Sequence, residues 1–518
     1  MPSLVGSEMC IRDRYYNYYE KVGVSYMKRY ILGRVIRSFF SIFAVVTIAL
    51  VLVYTLTPRD NIFTTDTTYQ KLKSADDKIK YKYNTWESLG YLRFEEQKDL
   101  CANTSDYDAC MVTGSDLLKE QVKKYESDGY TIQTYSDGKY YAYKDYSVPE
   151  LVINWFSKLI EVDHPWRMYD GHNENMERKV YIENDYNGLP AIKCAGCEHK
   201  YLVYMDGSFP FIHQNIVGLN FGISYPTFSG VDVTAVITQT QGNAKSQEVT
   251  FETGKTSSSA VNLHSCTYKY SELLDNIDKG KFNDNYANCS SNLQDPSMIT
   301  TSAIQGLIAL LITYLFGIPA GMVMAANKGK WQDKLGTVYI NIMSAVPSLA
   351  FIYFVRSIGM QLGLPDKFPV YGAHDVRSYI MPILILGLLS TGGQMLWIRR
   401  YMVDQSSSDY VKFARAKGLS NSEIFRTHIL RNAIIPFVNG FPSAVILTIS
   451  GAVITETVFA IPGMGKMLPD SIKAYNNPMV IGLTFIFTAV SIFALLLGDL
   501  LVTVVDPRIQ LQAKGDSR

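Results

Sequence analysis

The 518-residue chain carries 49 Lys and Arg against 48 Asp and Glu, a formal net charge of +1, so nothing in its charge points to nucleic acid. Its mean hydropathy is near zero, as in an ordinary soluble protein. That average hides a division: apolar residues gather in one N-terminal segment and in the last ~220 residues, with a polar, tyrosine-rich stretch of roughly 240 residues between them.

Residues 1–26 are expected to be a non-native leader. Leu4 to Arg14, "LVGSEMCIRDR", has no periodicity and no signal-peptide apolar region, and resembles translated adapter sequence. The expected native start is Met27, followed at once by Lys28, Arg29, Arg34 and Arg37. The segment 38–56 then has the length and apolarity to cross a bilayer, and it ends at Pro58.

Residues 58–298 read as a folded domain of mixed α/β type. "KYYAYKDYSV", "KYLVYMDG" and "VDVTAVITQT" alternate like strands, and "VPELVINWFSKLIEVDH" has the three-and-four spacing of an amphipathic helix. Leaving out Cys10 in the leader, all six remaining cysteines fall here. Proximity favours disulfides Cys101–Cys110, Cys194–Cys197 and Cys266–Cys289, although six cysteines allow about 15 connectivities. "CAGCEH", with His199 beside Cys194 and Cys197, is half of a zinc pattern, but no second pair at zinc spacing follows, so no metal site is assigned.

Five further apolar segments follow, at 299–325, 335–356, 378–398, 434–459 and 479–504, with Pro319, Pro347, Pro382 and Pro442 inside them. Arg29, Arg34 and Arg37 precede the first span. Lys328, Lys330 and Lys334 lie between the second and third, and Arg399, Arg400, Lys412, Arg415, Lys417, Arg426 and Arg431 between the fourth and fifth. The positive-inside rule therefore predicts six spans with both termini in the cytoplasm and 58–298 outside. The expected organisation is residues 27–57 for the N-terminus and first span, 299–504 for the other five spans with a cytoplasmic loop at 399–433, and 505–518 for a cytoplasmic tail.

No catalytic constellation is present. "AIPGMGK" (460–466) almost spells a phosphate loop, but Met467 stands where a magnesium-binding Ser or Thr is required, and the expected reading is a turn between the last two spans. His164, His172, His213 and His264 are scattered without ligand spacing.

The loop between the fourth and fifth spans is the informative one. Ser408 or Asp409 is placed to cap a short helix that stops at Gly418, a residue able to take positive φ. Ser420 to Glu423 fits a capping box that opens a second helix running toward Pro436. Ala414, Ala416 and Gly418 would give the bend a small-residue face, flanked by Arg415 and Lys417.

"ARAKGLSNSEIFRTHILRNAIIP" resembles the coupling loop of ABC-importer permeases. "ETVFAIPGMGKML" and "DPRI" (Asp506 to Ile509) resemble the oligopeptide and dipeptide branch, and the enlarged outer region is similar to the streptococcal Opp/Ami type. The resemblance implies an α-helical permease of six transmembrane helices in a bacterial cell membrane, with a large extracellular domain between the first two. It implies partners: a second permease subunit (OppC/AmiD-like), two ATPase subunits that use ATP and magnesium, and a lipid-anchored extracellular peptide-binding protein. No cofactor is expected on this chain itself. ATPase coupling would fall to Ala414, Arg415, Ala416, Lys417, Gly418, Leu419, Ser420 and Glu423. A polar pathway could draw on Asn341, Ser344, Thr391, Gln394, Thr455 and Glu456, residues equally suited to helix–helix hydrogen bonding. Import of a dipeptide, nickel or another small solute is the alternative within the family. A membrane receptor with an outer ligand domain is the alternative outside it.

Overall fold

The structure, a computed structural model, describes residues 5–207, 210–449 and 451–505, with side chains from residue 31 to 502. Residues 1–4 of the expected leader, the DPRI motif and most of the tail lie outside the described residues, as do the side chains of Cys10 and Met27. The chain divides into two compact units. One comprises residues 1–49, 299–470 and 483–518, the other residues 50–298 together with 471–482.

The first unit is helical: α1 (Val5–Leu56), α2 (Met298–Ala326), α3 (Trp331–Ala345), α4 (Ser348–Gln361), α5 (Arg377–Ser406), α6 (Asp409–Ala416), α7 (Ile435–Ile449), α8 (Val453–Val458), α9 (Met464–Lys473) and α10 (Asn477–Val505). Among the described residues, five segments are long and apolar enough to cross a membrane: Ile31–Leu56, α2, α5, Ile435–Val458 and Asn477–Val502. The third expected span, 335–356, is not one straight helix. It breaks between α3 and α4 with a bend of 108°. The cause is Pro347, which disfavours helical backbone at Val346 (ψ 127°) and itself leaves the helix at ψ 129°.

Among the candidate spans, α5 has the largest buried share. Tyr379, Met381, Ile383 and Ile385 pack with Phe351 and Ile352 of α4 and with Phe459 and Ile461. Glycines let α2 come close. A Cβ on Gly317 would sit 2.9 Å from Gln394 Cβ, and one on Gly321 2.8 Å from Ile398 Cγ2, the small-residue contact typical of membrane helices. Arg399 of α5 pairs with Asp333 of α3, whose Oδ2 accepts from Arg399 Nη2 at 2.9 Å and from the Gly329 amide at 2.8 Å.

The second unit is mixed α/β. Strands Leu92–Glu96, Tyr140–Asp145 and Thr131–Thr134 form an antiparallel sheet with Tyr140–Asp145 in the middle, Leu92 opposite Asp145. Lys179–Asn184, Pro190–Ala195, Tyr201–Tyr204 and His213–Gln214 form a four-stranded antiparallel sheet in that order. The helix Val148–Lys158 starts on a capping box between Ser147 and Glu150. It stops earlier than its apolar spacing suggests, because Ile160–Val162 turns into a strand paired with Val217–Leu219. "VDVTAVITQT" also differs: Val233–Thr238 is a helix, whose buried residues Val233, Val236 and Ile237 recur at three and four, not at two.

An aromatic core of Phe63, Trp86, Tyr91, Phe94, Tyr141 and Tyr225 holds this unit. The segment 471–482 belongs to it through buried polar groups. Asn476 Nδ2 donates to Ser224 Oγ at 2.8 Å and to Thr227 Oγ1 at 2.7 Å, and Asn477 bonds the Tyr91 hydroxyl. Disulfides join Cys101 to Cys110, Cys194 to Cys197 and Cys266 to Cys289. His199 is engaged by Asp163, whose Oδ2 lies 3.1 Å from its Nδ1 and accepts its backbone amide at 2.8 Å.

Candidate coupling loop and polar sites

The elbow after α5 is built by backbone geometry. Ser408 (ψ 151°) precedes α6 as its N-cap residue. At the other end Gly418 takes φ +79°. Its amide donates to the Arg415 carbonyl at 2.9 Å and the Leu419 amide to that of Ala414 at 3.3 Å, the paired bonds of a Schellman ending. Ser420 then caps the next turn, its Oγ accepting from the Glu423 amide at 3.3 Å. Only that half of the capping box is formed among the bonds of the described residues. The following helix is not plain α: after Asn421–Glu423 it runs as π-helix from Ile424 to Leu430, then as Arg431–Ala433.

The elbow's two faces divide its residues. Val411, Ala414, Ile424, Ile429 and Ala433 are buried against Ile398 and Met402 of α5. Ala414 is therefore an inward packing residue and does not contribute to an outer small-residue face. Arg415, Ala416, Lys417 and Gly418 are exposed, Leu419 is half-buried, and Ser420 and Glu423 are exposed. A Cβ on Gly418 would meet nothing within 4 Å. Beside them Phe413 is 68% exposed, a tip residue that the sequence pattern does not single out. Its signal is an aromatic on the polar side of a helix whose inward positions are Val411 and Ala414. Arg415 and Lys417 form no ion pair among the described residues, while Asp409 pairs with Lys412 at 2.8 Å, which holds its carboxyl below the usual range.

The six polar positions do not share one face. Asn341 and Ser344 are exposed on α3, and Gln394 is half-buried with its Nε2 lacking a partner among the described residues. Thr391 is buried and returns its hydroxyl to the Gly387 carbonyl at 2.6 Å. Thr455 and Glu456 are buried. A cavity of about 180 Å³ is lined by Ser302, Gln305, Thr313, Ser390, Thr448 and Glu456 among others.

Glu456 lines that cavity and is itself a clasp between segments. Its Oε1 accepts from Ser302 Oγ at 2.8 Å and from the Ala452 amide at 3.1 Å, and its Oε2 from the Lys466 amide at 2.8 Å. Ser302 Oγ in turn accepts from the Met464 amide at 2.8 Å. Gly451, at φ +89°, and Gly463 lie so close to the carboxylate that a Cβ would collide with it, and a Cβ on Gly465 would meet the Gly451 backbone at 2.9 Å. The glycine-rich "PGMGK" turn thus presents amide donors to an acceptor, as phosphate loops do, but the acceptor is the chain's own Glu456 carboxyl.

Residues 317–511 match the family described as "Binding-protein-dependent transport system inner membrane component". The chain is 45% identical over 497 residues to the oligopeptide transport system permease protein AmiC of Streptococcus pneumoniae serotype 4, covering 94% of this chain and 100% of that one. It is 30% identical over 207 residues to the dipeptide transport system permease protein DppB of Lactococcus lactis subsp. cremoris, covering 40% of this chain and 67% of the relative. Among solved structures, the MetNI methionine ABC transporter overlaps 40% of this chain and 94% of its own at 14% identity, with a TM-score of 0.33, too low to carry an argument. Kinship running the whole length of the AmiC protein decides the family: the chain belongs to the binding-protein-dependent ABC-transporter permeases, multi-pass membrane proteins that serve as a subunit of a transporter and not as its enzyme.

Proposed function

We propose that the chain forms one half of the translocation pathway of an ATP-driven oligopeptide importer in a bacterial cell membrane. The substrate class follows the AmiC relative, whose full length the chain covers. In this reading α3 and α4 together make one bent span, giving six spans with both termini cytoplasmic and the 58–298 domain outside. A second permease of the OppC/AmiD type completes the pathway, two ATPase subunits supply ATP hydrolysis with magnesium, and a lipid-anchored binding protein delivers peptide. Asn341 and Ser344, exposed on α3, are the pathway-lining residues of choice. Glu456 and Ser302 shape the polar cavity from inside the subunit.

The observation that carries this reading is the elbow at 409–423. It is pinned on one side by Ala414, Ile424 and Ile429 and presents Phe413, Arg415, Ala416, Lys417 and Gly418 on the other. A rigid bend with an exposed aromatic and an open glycine suits insertion into a groove of the ATPase. The test uses Ala416→Arg and Gly418→Val. The first puts a long cation where a groove closes on a methyl group. The second forces a β-branched residue into a left-handed conformation, at about 1–2 kcal/mol or more. Both variants are expected to reach the membrane in normal amounts, capture less ATPase in pull-downs and lose most peptide uptake, with Ser407→Ala unchanged. Wild-type uptake by both would overturn the reading.

A further inference from the structure

A π-helix is wider than an α-helix and carries about one extra residue in each bulge, and its hydrogen bonds are poorer, so it persists only where its surroundings hold it. Ile424–Leu430 is held in two ways. Ile424 and Ile429 are both buried, five residues apart, with Ala433 four further on. On an α-helix, positions five apart point about 140° away from each other, given 3.6 residues per turn. Only the wider turn brings both to the same core. The second restraint is polar. The His428 carbonyl accepts from Asn432 Nδ2 at 2.9 Å, and the Tyr410 hydroxyl, bonded to Gln405 Oε1 at 2.6 Å, approaches it at 3.5 Å. Tyr410 lies on α6 and Gln405 at the end of α5, so the stretch is tied to the elbow on one side and leads through Arg431–Ala433 into α7 on the other.

We propose that Ile424–Leu430 is the joint that converts movement of the elbow into rotation of α7, with Asn432 and Tyr410 as positioning residues that hold its π register. Switching one turn between π and α moves the following helix by one residue, turning and advancing it together. Elbow displacement alters the Tyr410 contact and, through the His428 carbonyl, the register. This inference rests on the ATPase-docking reading above, which the test keeps separate.

The experiment uses the full transporter in lipid nanodiscs and measures peptide imported per ATP hydrolysed. Deletion of Thr427, which is exposed, removes the extra residue and turns the stretch into α-helix with both flanks in register. Asn432→Asp keeps shape and loses the donor. Both are expected to retain ATPase subunits and continue hydrolysis while peptide per ATP falls at least fivefold. The nucleotide-dependent change in amide exchange over 428–434 should vanish in the deletion. A merely structural role would instead lower assembly and leave the ratio per assembled complex unchanged, and that result overturns the joint. Should the deletion fail to assemble, Asn432→Asp decides alone by the same ratio. The docking reading fails separately if Ala416→Arg captures ATPase normally.

Discussion

Glu456 shows how much one side chain organises. Donors from Ser302, Ala452, Gly465 and Lys466 point at its carboxylate. Glu456→Ala leaves them buried without an acceptor, at roughly 1–3 kcal/mol for each group left unmade. Glu456→Gln keeps the volume but aims an NH2 group at one of these donors. Both variants should yield less folded permease after detergent extraction and a lower unfolding temperature, Ala more than Gln. A stability equal to wild type would remove the clasp from the account. The sequence exposed Glu456 only as an ionisable group in an apolar run. Beside the Ala452 amide four residues upstream, its donors Ser302 and Lys466 lie 154 residues upstream and 10 downstream, a relation no local pattern carries.

In the second unit, His264 is buried with Nε2 2.8 Å from Asp185 Oδ2 and Nδ1 3.1 Å from the Tyr186 hydroxyl. Tyr204 stacks on the ring, and Asp206 and His213 are the other titratable groups nearby. Burial lowers its pKa, and Asp185 opposes this without reversing it. The folded state therefore binds the proton less readily than the unfolded chain. Stability is full above the unfolded value of about 6.5 and declines as pH falls below it, by at most about 1.4 kcal/mol per pH unit for one proton. Protection of the amides across 179–204 in the intact protein, taken relative to their intrinsic exchange rates at each pH, should be lower at pH 5.5 than at pH 7.5. His264→Gln, which keeps a donor toward Asp185, should flatten that difference. An unchanged slope in the variant would assign the effect elsewhere.

At the scale of elements, the sequence exposes what is local and continuous. The long apolar helices, the helix stop at Gly418 and the Ser420 cap are written in composition and in residues with a backbone preference. What it hides are breaks in otherwise apolar runs. The α3–α4 bend depends on whether Pro347 kinks or ends a helix, which neighbouring helices decide. The break between α7 and α8 passes through Gly451, whose left-handed backbone sits where a Cβ would run into Glu456. "VDVTAVITQT" misleads because β-branched content speaks for strand while its buried triplet speaks for helix. The π stretch had a usable sign in the five-residue spacing of Ile424 and Ile429, lost when only three-and-four spacing is sought. Likewise Ala414 and Ala416 are chemically identical, and only the packing of Ala414 against α5 separates an inner from an outer methyl.

On the scale of the whole molecule, the second unit is discontinuous in sequence. Its aromatic core is complete only when 471–482 supplies Asn476 and Asn477 to Ser224, Thr227 and Tyr91. That architecture has a consequence in time. Synthesis reaches residue 298 long before residue 482, and at ~5–20 residues per second the interval is roughly 10–40 s. Throughout it, Ser224 and Tyr91 wait without the asparagines that bond them, so the unit must persist in an unfinished state while four further apolar segments are made. A chain stopped after residue 470 should carry a second unit cut by protease far faster than in the full chain, and a separate peptide of 471–482 should slow the cutting. Equal resistance of the stopped and full chains would mean the unit closes without its last segment. If the stopped chain is cut faster, the segment 471–482 would serve as a checkpoint on translation: an interrupted chain would be marked as incomplete by its own unsealed domain, and only a chain synthesised nearly to its end would hide that mark.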